Sequence, residues 1–464
     1  MKKPFYLPFS IIFIIFTSAA YSQAPTLELD KELISSTEMS QPWGMCFTSN
    51  DEILFTEKSG KLFRYTISTD TKTQITGTPT VAVVGQGGLL DVTLHPDFAT
   101  HKYVYLSYSI SGNGGYTLAI GRGTLNGNQL SGFSEIFRAL PFKSGTGHFG
   151  SRLVFDHDKH LLFSSSDRQE QDNAQLLSNH LGKVIRINDD GSVPADNPFV
   201  DVNGAKPEIF SYGHRNIQGM VVDPVSGNIY VNEHGPMGGD ELNLIEAGKN
   251  YGWPSITFGL NYNGTIVSTD TARTGMEQPI RYWVPSIAPS GLAIVPLKDQ
   301  AENEVNFVLG ALAGKQIQWV KIQDNKHVAT YSFMKDYARF RDVEVSPDGK
   351  IYALTESPNR LILLKTNQAV ITGTQNSEYK NSSMVLYPNP AKEYVQIDTK
   401  NFNGQNFAIN IYSGEGRLMQ SIAENKDAKS SGLLKIDINT LPSGMYLIEL
   451  KSNETTETFR CHKL

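Results

Sequence analysis

One strand–turn–strand phrase recurs six times along this chain of 464 residues, and it constrains the fold more than any other feature. Each copy places a short apolar strand, a polar turn that often contains Pro or Gly, and a second apolar strand in succession. The copies begin near Trp43, Leu90, Arg152, Gln218, Ser290 and Arg341, about 45 to 75 residues apart. This spacing suits four-stranded blades with variable loops and predicts an all-β, six-bladed β-propeller over residues 23–366. The alternative, an ordinary β-sandwich, rarely repeats one phrase six times.

The two ends of the chain do not follow the repeat. Residues 1–22 combine two lysines, an apolar stretch of about 12 residues and small residues, as in a secretory signal peptide. That stretch is too short to span a membrane, and no other segment is long enough, so export through the periplasm to the cell surface or medium is expected. Residues 367–383 are polar and read as a linker. Residues 384–464 hold alternating strands joined by Gly or Pro turns and predict a small C-terminal β-sandwich domain.

Composition narrows the classes of partner and metal site. A net charge of -6 provides no basic surface for a nucleic acid and no polybasic patch for an anionic membrane. The two cysteines, Cys46 and Cys461, fall in different predicted domains and are expected to be unpaired. No cysteine spacing suits zinc or an iron–sulfur cluster, so a metal ion would need oxygen ligands.

Several polar sequence motifs resemble those of one known protein family. GHRNIQG (residues 213–219), GPMGGDELN (235–243) and NYGWP (250–254) follow one another between the third and fourth repeats. With GQGGLLDVTLHPDF (85–98), GHFGSRLVF (147–155) and RFRDVEVSPDGKIYAL (339–354), they resemble the soluble sugar dehydrogenases that use pyrroloquinoline quinone (PQQ), the glucose/sorbosone dehydrogenase family. The resemblance covers about residues 40–365.

The C-terminal module resembles the sorting domain of type IX secretion substrates. Its YPNP phrase begins at Tyr387 and its SGMY phrase at Ser443. A small carbohydrate-binding sandwich is the alternative, but the cluster of exposed aromatic residues expected of a sugar platform is not evident. The last residues, 461–464, are less typical, because they lack the strand-like basic ending that is usual for the sorting domain.

The first resemblance implies a secreted quinoprotein oxidoreductase that oxidises the anomeric hydroxyl of aldose sugars to lactones and passes electrons to an external acceptor. A base must take the hydroxyl proton as hydride leaves the same carbon, and His148 matches the family's base. Arg215 matches the arginine against the quinone carbonyl, where a cation stabilises developing negative charge. Gln86 matches a polar residue near the bound sugar hydroxyl.

PQQ also carries three carboxylates, so its site needs cationic groups. The resemblance assigns cofactor contacts to Arg215, Asn216, Arg339 and Arg341. Arg339 and Arg341 alternate along a strand and therefore face the same side of the sheet. The position matching the family's lysine is Ala313, and nearby Lys315 is the substitute cation in this prediction.

Calcium is the second cofactor that the resemblance implies. It is a hard cation that takes about six to eight oxygen ligands. The carbonyls of Gly235 and Pro236 match the loop that holds the calcium ion bridging PQQ. Glu241 and the carbonyl of Tyr251 match a second, structural calcium site.

Other interpretations stay open for these residues and for the chain. A loop histidine is often only a hydrogen-bonding residue, Gln86 can be an ordinary turn residue, and paired arginines commonly face solvent. A calcium-dependent propeller hydrolase such as a lactonase would want acidic and Asn ligands in the central channel, whereas the channel candidates here are His, Arg and Gln. A non-catalytic, surface-displayed glycan-binding propeller is the third function. The particular sugar, the electron acceptor and the oligomeric state, including a homodimer, are not determined by the sequence.

Overall fold

The computed structural model describes residues 27–36, 38–368, 370, 386–387, 391–398, 408–413, 417–422, 433–451 and 456–463. The predicted signal peptide and nearly all of the predicted linker lie outside these residues. The described residues up to 370 form one compact unit and those from 386 onward form a second, and each is described by itself. None of the helices in these ranges is both long enough and apolar enough to cross a membrane.

The first unit consists of six four-stranded antiparallel sheets, which confirms the predicted six-bladed β-propeller. The first strand of the chain, β1, is Leu29–Leu33. Blade 1 contains β2 (Pro42–Ser49), β3 (Glu52–Glu57), β4 (Lys61–Thr66) and β5 (Thr71–Ile75). Blade 2 contains β6 (Leu89–Leu94), β7 (Tyr103–Gly112), β8 (Gly115–Asn126) and β9 (Gln129–Arg138). Blade 3 contains β10 (Gly150–Phe155), β11 (Leu161–Ser165), β12 (Lys183–Ile187) and β13 (Ile209–Tyr212).

The remaining blades follow the same order. Blade 4 contains β14 (Ile217–Val222), β15 (Ile229–Glu233), β16 (Asp240–Ile245) and β17 (Arg281–Trp283). Blade 5 contains β18 (Pro289–Ile294), β19 (Glu304–Ala311), β20 (Gln316–Gln323) and β21 (Lys326–Phe333). Blade 6 contains β22 (Arg339–Val345), β23 (Ile351–Glu356) and β24 (Arg360–Thr366). Two short helices interrupt the strands, α1 (Phe98–His101) and a 3₁₀ helix (Gln171–Gln175).

The first strands of the blades form the inner ring of the propeller. Each contacts the first strand of the next blade, in the closed order β2, β6, β10, β14, β18, β22 and back to β2. These strands begin within two residues of the six positions at which the sequence repeat was placed. Apolar side chains pack between neighbouring blades, as where Tyr105 of β7 meets Leu153 and Phe163 of blade 3. Each blade thus buries both of its faces, which explains the runs of apolar residues in these strands.

The ring closes by joining the two ends of the unit. β1 pairs antiparallel with β24, with Leu29 opposite Thr366 and Leu33 opposite Ile362, and becomes the outer strand of blade 6. The N-terminal segment therefore supplies the fourth strand that the last repeat lacks. This pairing protects the outer edge of β24, which would otherwise expose unpaired backbone groups.

The second unit is a small β domain of two sheets, in agreement with the predicted fold class. One sheet contains β25 (Leu386–Tyr387), β26 (Tyr394–Asp398) and β29 (Leu433–Asp437). The other contains β27 (Ala408–Ser413), β28 (Leu418–Ile422), β30 (Gly444–Lys451) and β31 (Thr456–Lys463). Val395 and Ile436 of the first sheet share one core with Ile411 and Ile448 of the second. β31 pairs along its whole length with β30 and its Cys461 is buried in this core, although residues 461–464 lack the usual basic ending.

Candidate functional site

A cavity of about 440 Å³ opens among residues from all six blades. One set of lining residues lies at or just before the start of the first strands, and the other lies in or near the turns after the second strands. The lining residues are Gln41, Trp43, Lys58, Gln86, Leu90, Phe149, Gly150, Asn216, Gln218, His234, Ala288, Leu312, Arg339, Arg341, Glu356, Ser357 and Asn359. Because each blade repeats the same strand order, these starts and turns gather at one mouth of the propeller.

His148 stands in the loop before β10, next to the lining residue Phe149. Its Nδ1 lies 2.7 Å from the Asp167 Oδ1, and its backbone N–H donates to the Gln86 Oε1 at 2.7 Å. Trp253 Nε1–H donates to the Asp167 Oδ2 at 2.8 Å, so both carboxylate oxygens are held. A carboxylate at Nδ1 favours the tautomer with its proton there, which leaves the Nε2 lone pair available to accept a proton. The predicted base therefore has the orientation that a base needs, and Gln86 contacts its loop directly.

Asp167 is a functional residue that sequence reasoning missed. It is 1% exposed, and it follows the buried strand β11 and Ser166. The sequence signal was only an aspartate close behind an apolar strand; its burial, which is rare for an unpaired aspartate, is visible only in the structure.

The neighbouring Arg168 holds the backbone of the loop that carries His148. Its guanidinium donates to the carbonyls of Gly147 at 2.9 Å, Tyr116 at 2.8 Å and Gly145. It also stacks over the Phe149 ring at 3.7 Å. His148 has a φ of +51°, a left-handed conformation that a non-glycine residue keeps only when its surroundings enforce it.

Arg215 and His234 connect the other predicted residues to this corner of the cavity. The Arg215 backbone N–H donates to the Glu233 Oε2 at 2.7 Å, and its Nη1 donates to the His234 carbonyl at 3.1 Å. His234 Nε2–H donates to the Pro289 carbonyl at 2.8 Å. Burial, followed by the nearby charges of Arg215, Arg341 and His148, lowers the pKa of His234 to about 3. The neutral imidazole of His234 therefore lies close to Arg215, Arg341 and His148, which are three of the predicted site residues.

Arg339 and Arg341 line the cavity on the side of blade 6 and share one carboxylate. Arg339 Nε lies 3.1 Å from the Glu356 Oε2, and Arg341 Nε lies 2.6 Å from the Glu356 Oε1. Arg341 Nη1 also donates to the Gln218 Oε1 at 3.1 Å. Asn216 lines the cavity as well, with its Oδ1 accepting from the Ser166 hydroxyl at 2.8 Å.

Lys315 does not join these residues. It is exposed in the turn between β19 and β20 with a φ of +47°, and it is not among the residues that line the cavity. The structure instead places the carbonyl of Leu312, from the same turn, against the Arg339 Nη1 at 3.3 Å. The only lysine among the lining residues is Lys58, which sequence reasoning did not single out.

The turn at residues 235–239 is built around Asp240. Asp240 Oδ1 accepts the Gly235 N–H at 2.9 Å, while its Oδ2 accepts the N–H groups of Ile287 and Ala288 at 2.7 and 2.9 Å. These bonds fix the predicted loop of Gly235 and Pro236 against the start of blade 5. Asp240 thus acts as a structural anchor of the loop.

A second and much smaller cavity, of about 10 Å³, lies behind that turn. Its lining includes Glu233, Gly235, Glu241 and Tyr251, so three of the four predicted calcium-loop residues meet there. Burial and the charge of Glu233 raise the pKa of Glu241 to about 8. The Asn243 Nδ2 donates to both carboxylates, and its Oδ1 has no hydrogen-bond partner among the described residues. The carboxylates of Glu233 and Glu241 beside a space for one small ion fit a hard divalent cation.

Arg152 makes ion pairs with residues of two other blades. On β10 it bonds to Asp91 of β6 and Asp342 of β22, with its Nη1 at 3.2 and 2.8 Å from their Oδ1 atoms. The central channel therefore contains acidic groups as well as the expected His, Arg and Gln side chains, and a guanidinium already occupies the space between them.

Comparison with known proteins agrees with this geometry. The Glucose / Sorbosone dehydrogenase family model matches residues 39–364, and the Secretion system C-terminal sorting domain model matches residues 385–462. The aldose sugar dehydrogenase of Escherichia coli is 36% identical over 362 residues, which cover 76% of this chain and 97% of that protein. Quinoprotein glucose dehydrogenase B of Acinetobacter calcoaceticus is 25% identical, over 78% of this chain and 77% of that protein.

Solved structures give the same result. The apo form of the E. coli aldose sugar dehydrogenase superposes with a TM-score of 0.69, covering 73% of this chain and 99% of that chain. The PQQ-bound aldose sugar dehydrogenase of Streptomyces coelicolor, 25% identical, superposes with a TM-score of 0.62 over 74% of this chain and 98% of that chain. With a family model spanning most of its length and a 36% identical relative, the chain belongs to the glucose/sorbosone dehydrogenase family of oxidoreductases and carries a secretion-system sorting domain.

Proposed function

We propose that the protein is a secreted, PQQ-dependent dehydrogenase that oxidises the anomeric hydroxyl of aldose sugars to lactones and passes the electrons to an external acceptor. The observation that carries this proposal is the hydrogen-bonded pair of His148 and Asp167 beside a cavity lined by several basic side chains. Family membership supports the reaction class, PQQ is named for the Streptomyces relative, and the Acinetobacter relative is named a quinoprotein.

His148 acts as the general base in this proposal. Its Nε2 takes the proton of the anomeric hydroxyl, and the Asp167 carboxylate stabilises the imidazolium that forms. Gln86 keeps the His148 loop in place and presents its amide to the sugar. A base of this kind contributes about two to four orders of magnitude to a rate.

The cationic residues hold the cofactor. Arg339 and Arg341 bind PQQ carboxylates, Asn216 contacts the ring system, and Arg215 stabilises negative charge on the quinone oxygen. When bound, PQQ supplies the hydride acceptor. The carbonyls of Gly235 and Pro236 would hold one calcium ion beside PQQ, and Glu241 with the Tyr251 carbonyl would hold a second in the smaller cavity.

A lactonase is a weaker candidate for this site. It would need acidic ligands free to hold calcium in the central channel, but Asp91 and Asp342 are both engaged by Arg152. A guanidinium at that position also repels a divalent cation.

The sorting domain supports export by the type IX machinery to the cell surface or medium. The signal peptide at residues 1–22, the external electron acceptor and a homodimeric state remain predictions. Export would place the active site where extracellular sugars are the available substrates.

Reduction of a redox dye tests the proposal. The purified chain is loaded with calcium and PQQ, mixed with a panel of aldoses and compared with protein lacking either addition. Dye reduction is expected only when PQQ, calcium and an aldose are all present. His148→Ala is expected to bind PQQ as the unmodified protein does and to lose turnover by at least about 100-fold. Absence of both PQQ binding and PQQ-dependent dye reduction in the unmodified protein would exclude this function.

A further inference from the structure

The turn between β3 and β4 brings one lysine, Lys58, to the wall of the main cavity. Its backbone is fixed on both sides, because its N–H donates to the Gln41 carbonyl at 3.2 Å and its carbonyl accepts the Leu89 N–H at 3.1 Å. Gly88 packs so closely that a Cβ there would lie 2.2 Å from the Lys58 carbonyl oxygen. The turn is therefore clamped between the starts of blades 1 and 2, which limits where the Lys58 side chain can reach.

The Lys58 ammonium group lacks a counter-ion. Its Nζ donates to the Gly85 carbonyl at 2.9 Å, and no carboxylate of a described residue lies within ion-pair distance of it. An ammonium group has three donors, so two are left for other partners. Burial, and secondarily the charge of Arg341, lowers the pKa of Lys58, while Glu356 partly offsets the effect. A half-buried cation without a carboxylate partner is costly, and an anionic ligand would relieve that cost.

The charges around the cavity point to an acidic ligand. Three basic side chains line it, Lys58, Arg339 and Arg341, against one acidic side chain, Glu356. Glu356 is shared by the two arginines and has no bond to Lys58. His234 adds no charge, since its pKa is about 3. The cavity thus retains excess positive charge, part of it at the arginine pair that shares one carboxylate and part of it at Lys58.

We propose that Lys58 is the third cationic contact for the carboxylates of PQQ, supplied by blade 1 instead of by a lysine on blade 5. This inference rests on the proposed function, because it needs PQQ to be the ligand. A cation from blade 1 explains why the turn of blade 5 can have Ala313 at the position that matches the family's lysine. It also explains why Lys315 in the same turn can be exposed. The positive charge that the ligand requires is retained in the cavity, but it comes from blade 1, which lies on the other side of blade 6 from blade 5.

Equilibrium binding tests this assignment without using turnover. The full chain, freed of PQQ and loaded with calcium, is titrated with PQQ while tryptophan fluorescence is followed, because Trp43 lines the cavity. Lys58→Gln keeps a donor for the Gly85 carbonyl but removes the charge, and Lys58→Met removes both. Both variants are expected to raise the Kd for PQQ by about tenfold or more, whereas Lys58→Arg stays within about threefold of the unmodified protein.

Two lysines and one altered ligand serve as controls. Lys61→Met, an exposed lysine of the same hairpin, and Lys315→Met are expected to leave the Kd unchanged. The trimethyl ester of PQQ lacks the carboxylate charges, so Lys58→Gln is expected to bind it as tightly as the unmodified protein does. Thermal unfolding midpoints establish that each variant is folded.

The outcomes separate this inference from the proposed function. Failure of the unmodified protein to bind PQQ would refute the proposed function itself. Normal PQQ binding by that protein together with an unchanged Kd in Lys58→Gln would show that Lys58 is not a PQQ contact. An equal loss of affinity for PQQ and for its trimethyl ester would also overturn the inference, because it would assign Lys58 to holding the Gly85 turn only.

Discussion

At the scale of single residues, Asp167 determines how His148 can act. Its Oδ1 accepts from the His148 ring and from the Gln169 N–H, and its Oδ2 accepts from Trp253. Asn in its place would turn an amide N–H₂ towards at least one of these donors. We expect Asp167→Asn to lower kcat by about two to four orders of magnitude, because His148 loses the partner that fixes its tautomer. Steady-state kinetics at saturating PQQ measure this change.

The same variant has a second readout. Asp167 does not line the main cavity, so the Kd for PQQ is expected to stay unchanged while kcat falls. Asp201→Asn, at an exposed aspartate in the loop between β12 and β13, is the matched control and should keep full activity. A normal kcat in Asp167→Asn would place the base elsewhere.

The site residues differ in whether the sequence alone could identify them. His148, Arg215 and Arg341 stand in phrases whose order along the chain resembles a known family, so they could be predicted. Asp167 and Lys58 stand outside those phrases, and their importance comes from contacts with blades that are distant in sequence. Lys315 is the converse case: it was predicted as a cofactor contact because it lies two residues from the position of the family's lysine, but its side chain does not line the cavity.

At the scale of elements, the loop of residues 145–149 is held by the guanidinium of Arg168 more than by its own bonds. Three carbonyls on two segments accept from this side chain, which is 1% exposed. We expect Arg168→Met to leave these carbonyls without donors, to lower the unfolding midpoint, and to reduce kcat by about 10- to 100-fold through displacement of His148. Arg168→Lys keeps one donor group and should recover part of the activity.

Measuring both kcat and the Kd for PQQ in Arg168→Met distinguishes displacement of the His148 loop from a general disruption of the fold. Arg168 lines neither cavity. The Kd for PQQ should therefore stay within about twofold while kcat falls. A parallel loss of PQQ affinity and kcat would contradict a role confined to the loop.

Elements also differ in how well the sequence predicts them. The first two strands of each blade lie within one phrase of about 20 residues, so their pairing is local and their pattern is visible. β1 was not recognised as part of blade 6, because its partner β24 lies more than 300 residues away and no local signal connects them. The burial of β31 likewise depends on a second sheet, which no local signal shows.

At the scale of the whole molecule, Arg152 links the inner ring across the central channel. Its guanidinium bonds to Asp91 and Asp342 and donates to the carbonyls of Gln218 at 2.6 Å and Arg341 at 3.1 Å. It also lies 4.4 Å from the Trp43 ring centroid. One side chain on blade 3 therefore contacts blades 1, 2, 4 and 6. We infer that it acts as the central cation of the propeller.

The pH dependence of stability follows from the acidic groups around it. Burial raises the pKa of Asp91 to about 7, with Arg152 opposing and Asp342 adding to the rise, and burial likewise raises the pKa of Asp342 and Glu344. A pKa raised by folding stabilises the folded state fully below the unfolded pKa of about 4. That contribution is lost as pH rises towards about 7. This cluster therefore makes the folded protein less stable at pH 7 than at pH 5.

Removing the central cation should enlarge this effect. In Arg152→Met the carboxylates of Asp91 and Asp342 face each other without a counter-charge, which costs roughly 3–5 kcal/mol when both are ionised. Protonation relieves the repulsion, so the unfolding midpoint should fall sharply at pH 8 and much less at pH 5. Asp91→Asn added to Arg152→Met removes one of the two charges and should restore part of the loss at pH 8 only. An equal loss at both pH values, unaffected by Asp91→Asn, would mean that Arg152 stabilises the ring by packing against Trp43 and not by its charge.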